Sequence, residues 1–171
     1  MRIFQMLSTI AYGDAVSNDT FAMEKIIKGM GYGTRIYAES IVAPLDKKNA
    51  LNVDELKDVH KDDVIIFHMS TGSRLNFDVA KYDCRKIVVY HNITPPEYFA
   101  KNDSRFTKVC EYGLEGARYL ADKVDYCLAV SAFNKQDLIN MGYKCDIDIL
   151  PVIIPMSDYD KKPDKGVMKE Y

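Results

Sequence analysis

The stretch 86–99, KIVVYHNITPPEYF, decides how this chain is predicted to fold. It begins with an apolar run that predicts a buried strand, and His91 and Asn92 follow where that strand ends. Thr94 is biased toward extended backbone because Pro95 follows it, and both prolines of the stretch have a restricted φ. Ligands bind at the carboxyl ends of strands in open α/β sheets. We therefore predict a stiff loop that holds polar side chains at a binding site.

Strand-like and helix-like segments alternate along the chain. Apolar runs predict strands at 2–7, 35–38, 64–67, 87–90, 126–130 and 147–150. Apolar spacing and capping signals predict helices at 22–30, 54–59, 77–82, 104–121 and 131–142. This alternation implies an α/β fold, a Rossmann-like parallel sheet with helices on both faces.

Two of these helices carry more detailed predictions. Ser17, Asn18 or Asp19 can cap the first helix, because short polar side chains accept hydrogen bonds from the N–H groups at a helix start. In the helix at 104–121, the apolar spacing directs Phe106 toward the core.

The bulk properties limit the function classes. A length of 171 residues fits one domain, and a net charge of −2 without a basic cluster argues against nucleic-acid binding. The four cysteines form no C-x-x-C pair, which argues against a zinc or redox site and fits a reducing cytoplasm. The chain shows neither a signal-peptide pattern nor an apolar stretch of about 20 residues, so we expect no transmembrane segment.

Two candidate sites follow the first and third predicted strands. Gly13 and Asp14 stand before a helix, where N–H groups attract phosphate, although an ordinary capped turn explains them equally well. His68 and Ser70 end the third strand and can hydrogen-bond a polar ligand. Alternatively, the serines of this segment cap the next helix and His68 is a packed residue with satisfied hydrogen bonds.

Two further candidates follow the fourth and fifth strands. His91 can polarise a hydroxyl or exchange a proton, with Asn92 and Thr94 as binding groups beside it. The alternative is a histidine bonded to backbone for loop structure. Ser131 is chiefly a helix cap whose backbone can line the same rim. The chain contains neither a G-x-S-x-G elbow nor an H-x-x-x-H metal spacing, so we predict no metal site.

Taken together, these strand-end motifs resemble the N-terminal half of family 4 glycosyltransferases. The resemblance covers about residues 1–156, and the order of its blocks is more specific than any single block. The blocks are 63–73, 89–99, 125–134 and 149–155.

The resemblance implies one half of a GT-B fold, in which two Rossmann-like domains face each other across a cleft. It implies that this half holds a glycan or lipid-linked acceptor, and that His91 lines the reaction centre. The loop with Gly13 and Asp14 matches the one near the donor diphosphate, and Ser131 starts a segment that faces the cleft. The implied reaction is retaining sugar transfer from a nucleotide-sugar to a hydroxyl, in polysaccharide or glycoconjugate biosynthesis, without a cofactor.

The chain also departs from that family. The donor-binding C-terminal domain is missing, with its pair of glutamates seven residues apart. We therefore expect an acceptor-side domain at 1–156, a charged tail or interdomain linker at 157–171, and no turnover by the chain alone. The exposed cleft face is expected to favour self-association. The expected location is cytoplasmic, with peripheral attachment at the inner membrane face.

Two other functions compete with this one. A non-catalytic module that binds a glycan or a partner, including one subunit of a split glycosyltransferase, would use the same half-site. A flavodoxin-like or other nucleotide-binding domain is the third possibility, and the missing glycine fingerprint argues against it.

Overall fold

The structure is a computed structural model that describes residues 1–154 and, beyond them, residues 156, 160, 162, 163, 166 and 168. Most of the predicted tail or linker at 157–171 lies outside the described residues. The account below concerns the segment 1–154.

Seven parallel strands form a single sheet in the described part of the chain. In chain order they are β1 (Arg2–Ile10), β2 (Gly33–Ile41), β3 (Leu51–Asn52), β4 (Val64–Met69), β5 (Arg85–Tyr90), β6 (Tyr126–Ala129) and β7 (Ile147–Ile149). Across the sheet the order is β3-β2-β1-β4-β5-β6-β7. The order reverses between β1 and β4, and such a reversal opens a crevice at the carboxyl ends of the two strands.

Four α-helices connect the strands within the described residues. They are α1 (Ala15–Gly29), α2 (Leu75–Asp78), α3 (Ser104–Tyr119) and α4 (Ala132–Asn140). Short 3-10 turns at Val53–Glu55, Val79–Lys81 and Pro96–Tyr98 complete the connections. None of the helices in this part of the chain has the length and apolar character needed to cross a membrane.

Side chains of β4 show that helices cover both faces of the sheet. Val64 and Ile66 share a buried cluster with Met23 and Ile27 of α1. Ile65 and Phe67, which point the other way, belong to a larger cluster that includes residues of α3 and α4. Because β4 is buried on both faces, its sequence lacks polar alternation. The predicted α/β class is confirmed.

Three local predictions are wrong. The cap of α1 is Asp14, whose carboxylate accepts from Ser17 N at 2.8 Å, so the helix begins earlier than predicted. The segment 54–59 holds only a 3-10 turn, because Asn52 and Glu55 close a capping box around it. Phe106 is 54% exposed and stacks on Phe99 instead of entering the core.

Candidate functional site

The polar residues of interest gather where β1, β4 and β5 end. His68 is the penultimate residue of β4, and His91 follows β5 directly. The backbone N–H of His91 donates to Met69 O at 2.9 Å, which holds this residue beside the end of β4. Tyr90 Oη accepts from Ile93 N at 3.2 Å and ties the next turn of the loop to the strand. The two histidines, which the sequence analysis placed at the ends of two separate strands, therefore lie side by side.

A chain of hydrogen bonds links these histidines to the interior of β1. His68 Nδ1 lies 3.1 Å from His91 Nε2, and His68 Nε2 lies 2.9 Å from Gln5 Oε1. Gln5 Nε2 donates to Thr20 O of α1 at 3.1 Å. Gln5 is fully buried and His68 is 1% exposed, so this chain runs through the core up to the strand ends.

His91 Nδ1 is the free end of this chain, since no described residue forms a hydrogen bond with it. Burial lowers the pKa of His91, although the carboxylates of Asp19 and Asp14 oppose that effect. Burial, together with the neighbouring His91, holds the pKa of His68 well below its usual value of 6.5. Both imidazoles are therefore neutral at pH 7, and Nδ1 of His91, whose side chain is 4% exposed, has no hydrogen-bond partner among the described residues.

Asp19 of α1 completes the group from the other side. Its side chain is 2% exposed, and its Oδ2 lies 3.8 Å from His91 Nε2. Its Oδ1 accepts from Ile153 N at 2.7 Å, which fastens the segment after β7 onto α1. Asp19, His68 and His91 each offer a ligand atom, all within 4.8 Å of one another. Imidazole and carboxylate are ordinary zinc ligands, so this trio has the chemistry to hold such a cation.

Asp14 and Ser70 line one cavity between the ends of β1 and β4. The cavity measures about 220 Å³, and its other lining residues are Ser8, Thr9, Ala11, Val16 and Thr71. Gly13 precedes it with φ +78° and open space around its α-carbon. The Asp14 carboxylate is engaged in capping α1 and would repel a phosphate. Any contact with a diphosphate would therefore come from the backbone of this loop.

Asn92 and Thr94 line a different cavity, beyond β5. It measures about 480 Å³, and its other lining residues are Tyr90, Ile93, Pro95, Tyr98, Leu114, Phe133, Asp137 and Met141. Asn92 has φ +78°, a left-handed conformation that asparagine tolerates better than most residues. The chain turns there, so the cavity past β5 is lined by Asn92 and not by His91. Tyr98 and Phe133 are 73% and 70% exposed.

Ser131 acts as the cap of α4. Its Oγ accepts from Asn134 N at 3.1 Å and also bonds the Asn134 side chain. Ser131 does not line the two cavities described above.

Gln5 and Asp19 are the two site residues that the sequence analysis missed. Asp19 was interpreted only as a helix cap, and Gln5 was interpreted as part of a strand. The sequence did contain a pattern that indicates a role for Gln5, because a glutamine inside an apolar strand is buried and needs hydrogen-bond partners there.

No protein-family model matches this chain, and a search of curated proteins gives no significant match. The functional argument therefore depends on the site and on the strand-end motifs.

Proposed function

We propose that this chain is the acceptor-side half of a retaining glycosyltransferase that resembles family 4. The proposal is supported by the four strand-end blocks, three of which follow the adjacent strands β4, β5 and β6. The crevice that the sheet-order reversal opens at the ends of β1 and β4 lies on the same side, which supports the proposal.

The observation that carries the proposal is the unpartnered Nδ1 of His91 at the end of β5. A neutral imidazole nitrogen accepts a hydrogen bond from a hydroxyl, and sugars and their acceptors are rich in hydroxyls. His91 would hydrogen-bond the donor sugar or the acceptor hydroxyl and so hold the reacting groups in place. Buried His68 holds the ring in this orientation through the 3.1 Å hydrogen bond to His91 Nε2.

The proposed reaction transfers a sugar between two oxygens. The bond from the anomeric carbon to the diphosphate oxygen breaks, a bond to the acceptor oxygen forms on the same face, and the hydroxyl proton leaves with the diphosphate. The donor-binding half would supply most of the groups that stabilise the departing diphosphate. The proposal requires that half on the same chain or on a partner protein. The loop with Gly13 would contribute backbone N–H groups.

The test is a transfer assay on the natural protein that carries this chain. It is supplied with a panel of labelled nucleotide-sugars and with glycan and lipid-linked acceptors. We expect His91→Ala to lower kcat/KM by roughly 100-fold, because the reacting groups are no longer held in place. His60→Ala is the matched control, since His60 is exposed on the surface. Activity of His91→Ala within a factor of about two of wild type would refute the proposed role.

A second candidate is glycan binding without transfer, and the cavity past β5 favours it. Exposed Tyr98 and Phe133 flank the polar groups of Asn92 and Thr94, and aromatic rings beside amide and hydroxyl groups suit a sugar. A glycan titration followed by NMR would detect this binding. Binding together with absent transfer for every donor would favour the second candidate.

A further inference from the structure

We infer that Gln5 is a positioning residue that acts through His68 and fixes the proton of His91 on Nε2. His91 is then left with a bare Nδ1 that can act as a hydrogen-bond acceptor. The meaning of this arrangement for sugar transfer rests on the proposed function. The arrangement itself rests only on the hydrogen bonds described above.

The first step is the orientation of the Gln5 amide. Thr20 O is a carbonyl oxygen and only accepts, so the group that faces it at 3.1 Å is the NH₂ of Gln5. The other amide atom, Oε1, therefore faces His68 Nε2 at 2.9 Å. Since Oε1 also only accepts, His68 must carry its proton on Nε2.

In the second step, the proton position on His68 determines the proton position on His91. A neutral imidazole has a single N–H, so His68 with its proton on Nε2 has a bare Nδ1. His91 Nε2, 3.1 Å away, must then donate to that nitrogen. Neutral His91 is left with a bare Nδ1, the atom that no described residue contacts by a hydrogen bond.

This proton position assigns His91 one chemical role. With Nδ1 bare, it accepts a hydrogen bond from a hydroxyl group, whereas it cannot donate to a leaving oxygen from the neutral state. The matching ligand presents a hydroxyl to this nitrogen. Gln5 contacts neither substrate nor reacting atoms, because it is fully buried in β1.

The test uses the full chain with ¹⁵N-labelled histidine and long-range ¹H–¹⁵N NMR at neutral pH. In the wild type we expect both His68 and His91 to show a protonated Nε2 and a bare Nδ1. A His91 spectrum with the proton on Nδ1, or averaged between the two nitrogens, would overturn the inference without any variant.

Gln5→Met adds a perturbation of similar side-chain length. It removes the acceptor that orients His68, so we expect His91 to become a mixture of tautomers. Gln136→Met is the control, since Gln136 is exposed on α4 and should leave both spectra unchanged. A wild-type tautomer at His91 in Gln5→Met would refute the assigned role of Gln5.

A transfer assay separates this inference from the proposed function. If the protein transfers sugar, Gln5→Met should lower kcat by roughly 10- to 100-fold and change KM little, because geometry is lost and binding groups remain. If wild-type protein transfers no sugar but shows the expected tautomers, the proposed function fails and the assignment of Gln5 stands.

Discussion

Replacing Gly113 of α3 by alanine should destabilise the protein, although the same substitution stabilises most exposed helices. The helix crosses the loop after β4 with backbone against backbone. A β-carbon on Gly113 would lie 2.8 Å from Gly72 N and 2.9 Å from Gly72 Cα. Neither atom belongs to a flexible side chain, so the helix or the loop must shift.

Two opposing contributions set the magnitude of this effect. Alanine improves helix propensity by about 1 kcal/mol over glycine. Forcing an extra carbon into a packed contact costs about 1–3 kcal/mol, and a contact between two backbones belongs at the upper end. We therefore expect the free energy of unfolding to fall by about 2 kcal/mol.

The assay is urea denaturation followed by circular dichroism, with Gly29→Ala as the matched control. Gly29 ends α1, and a β-carbon there meets nothing within 4 Å. This control should gain up to about 1 kcal/mol, so the two substitutions should shift the midpoint in opposite directions. A Gly113→Ala midpoint at or above that of the wild type, with an unchanged m-value, would refute the packing argument.

Two buried polar groups give further predictions. The Arg2 guanidinium holds the pKa of Asp63 well below its usual range. The ion pair between them therefore stabilises the fold above about pH 4, the pKa of aspartate in the unfolded chain. This contribution is lost as the pH falls below that value. Asp63→Asn should lose roughly 2–3 kcal/mol at pH 7 in urea denaturation, and a deficit that stays constant down to pH values of about 3 would contradict this. Tyr143→Phe removes the 2.9 Å hydrogen bond from Tyr143 to Ala117 O. The free energy of unfolding should therefore fall by about 1–2 kcal/mol in urea denaturation. An unchanged free energy of unfolding would show that this bond does not stabilise the fold.

The sequence predicted the sheet well because its strands are short apolar runs separated by capping residues. The two-residue β3 escaped prediction, since Leu51 and Asn52 are too few to form a pattern. The start of α1 was misplaced because several residues nearby can cap a helix, and only the backbone geometry selects Asp14. Phe106 was misjudged because Phe99, from a preceding turn, offers it a partner outside the core.

The strand-end rule pointed to both His68 and His91, but the sequence analysis treated the loop after β5 as one site. The left-handed backbone at Asn92 divides it, and Asn92 and Thr94 line a separate cavity. A backbone turn of this kind cannot be deduced from an asparagine alone, because most asparagines adopt other conformations.

The hydrogen-bond partner of Gln5 could have been predicted from the sequence. β1 lies between β2 and β4, helices cover both faces of the sheet, and Gln5 near the middle of the strand is fully buried. A glutamine at such a position costs stability unless its amide is fully bonded, and its partners must come from a neighbouring strand or a covering helix. His68 lies on the neighbouring strand β4 and is the polar side chain nearest that strand's carboxyl end. The pairing of Gln5 with His68 was therefore within reach of the sequence, and the orientation of the His91 proton follows from it.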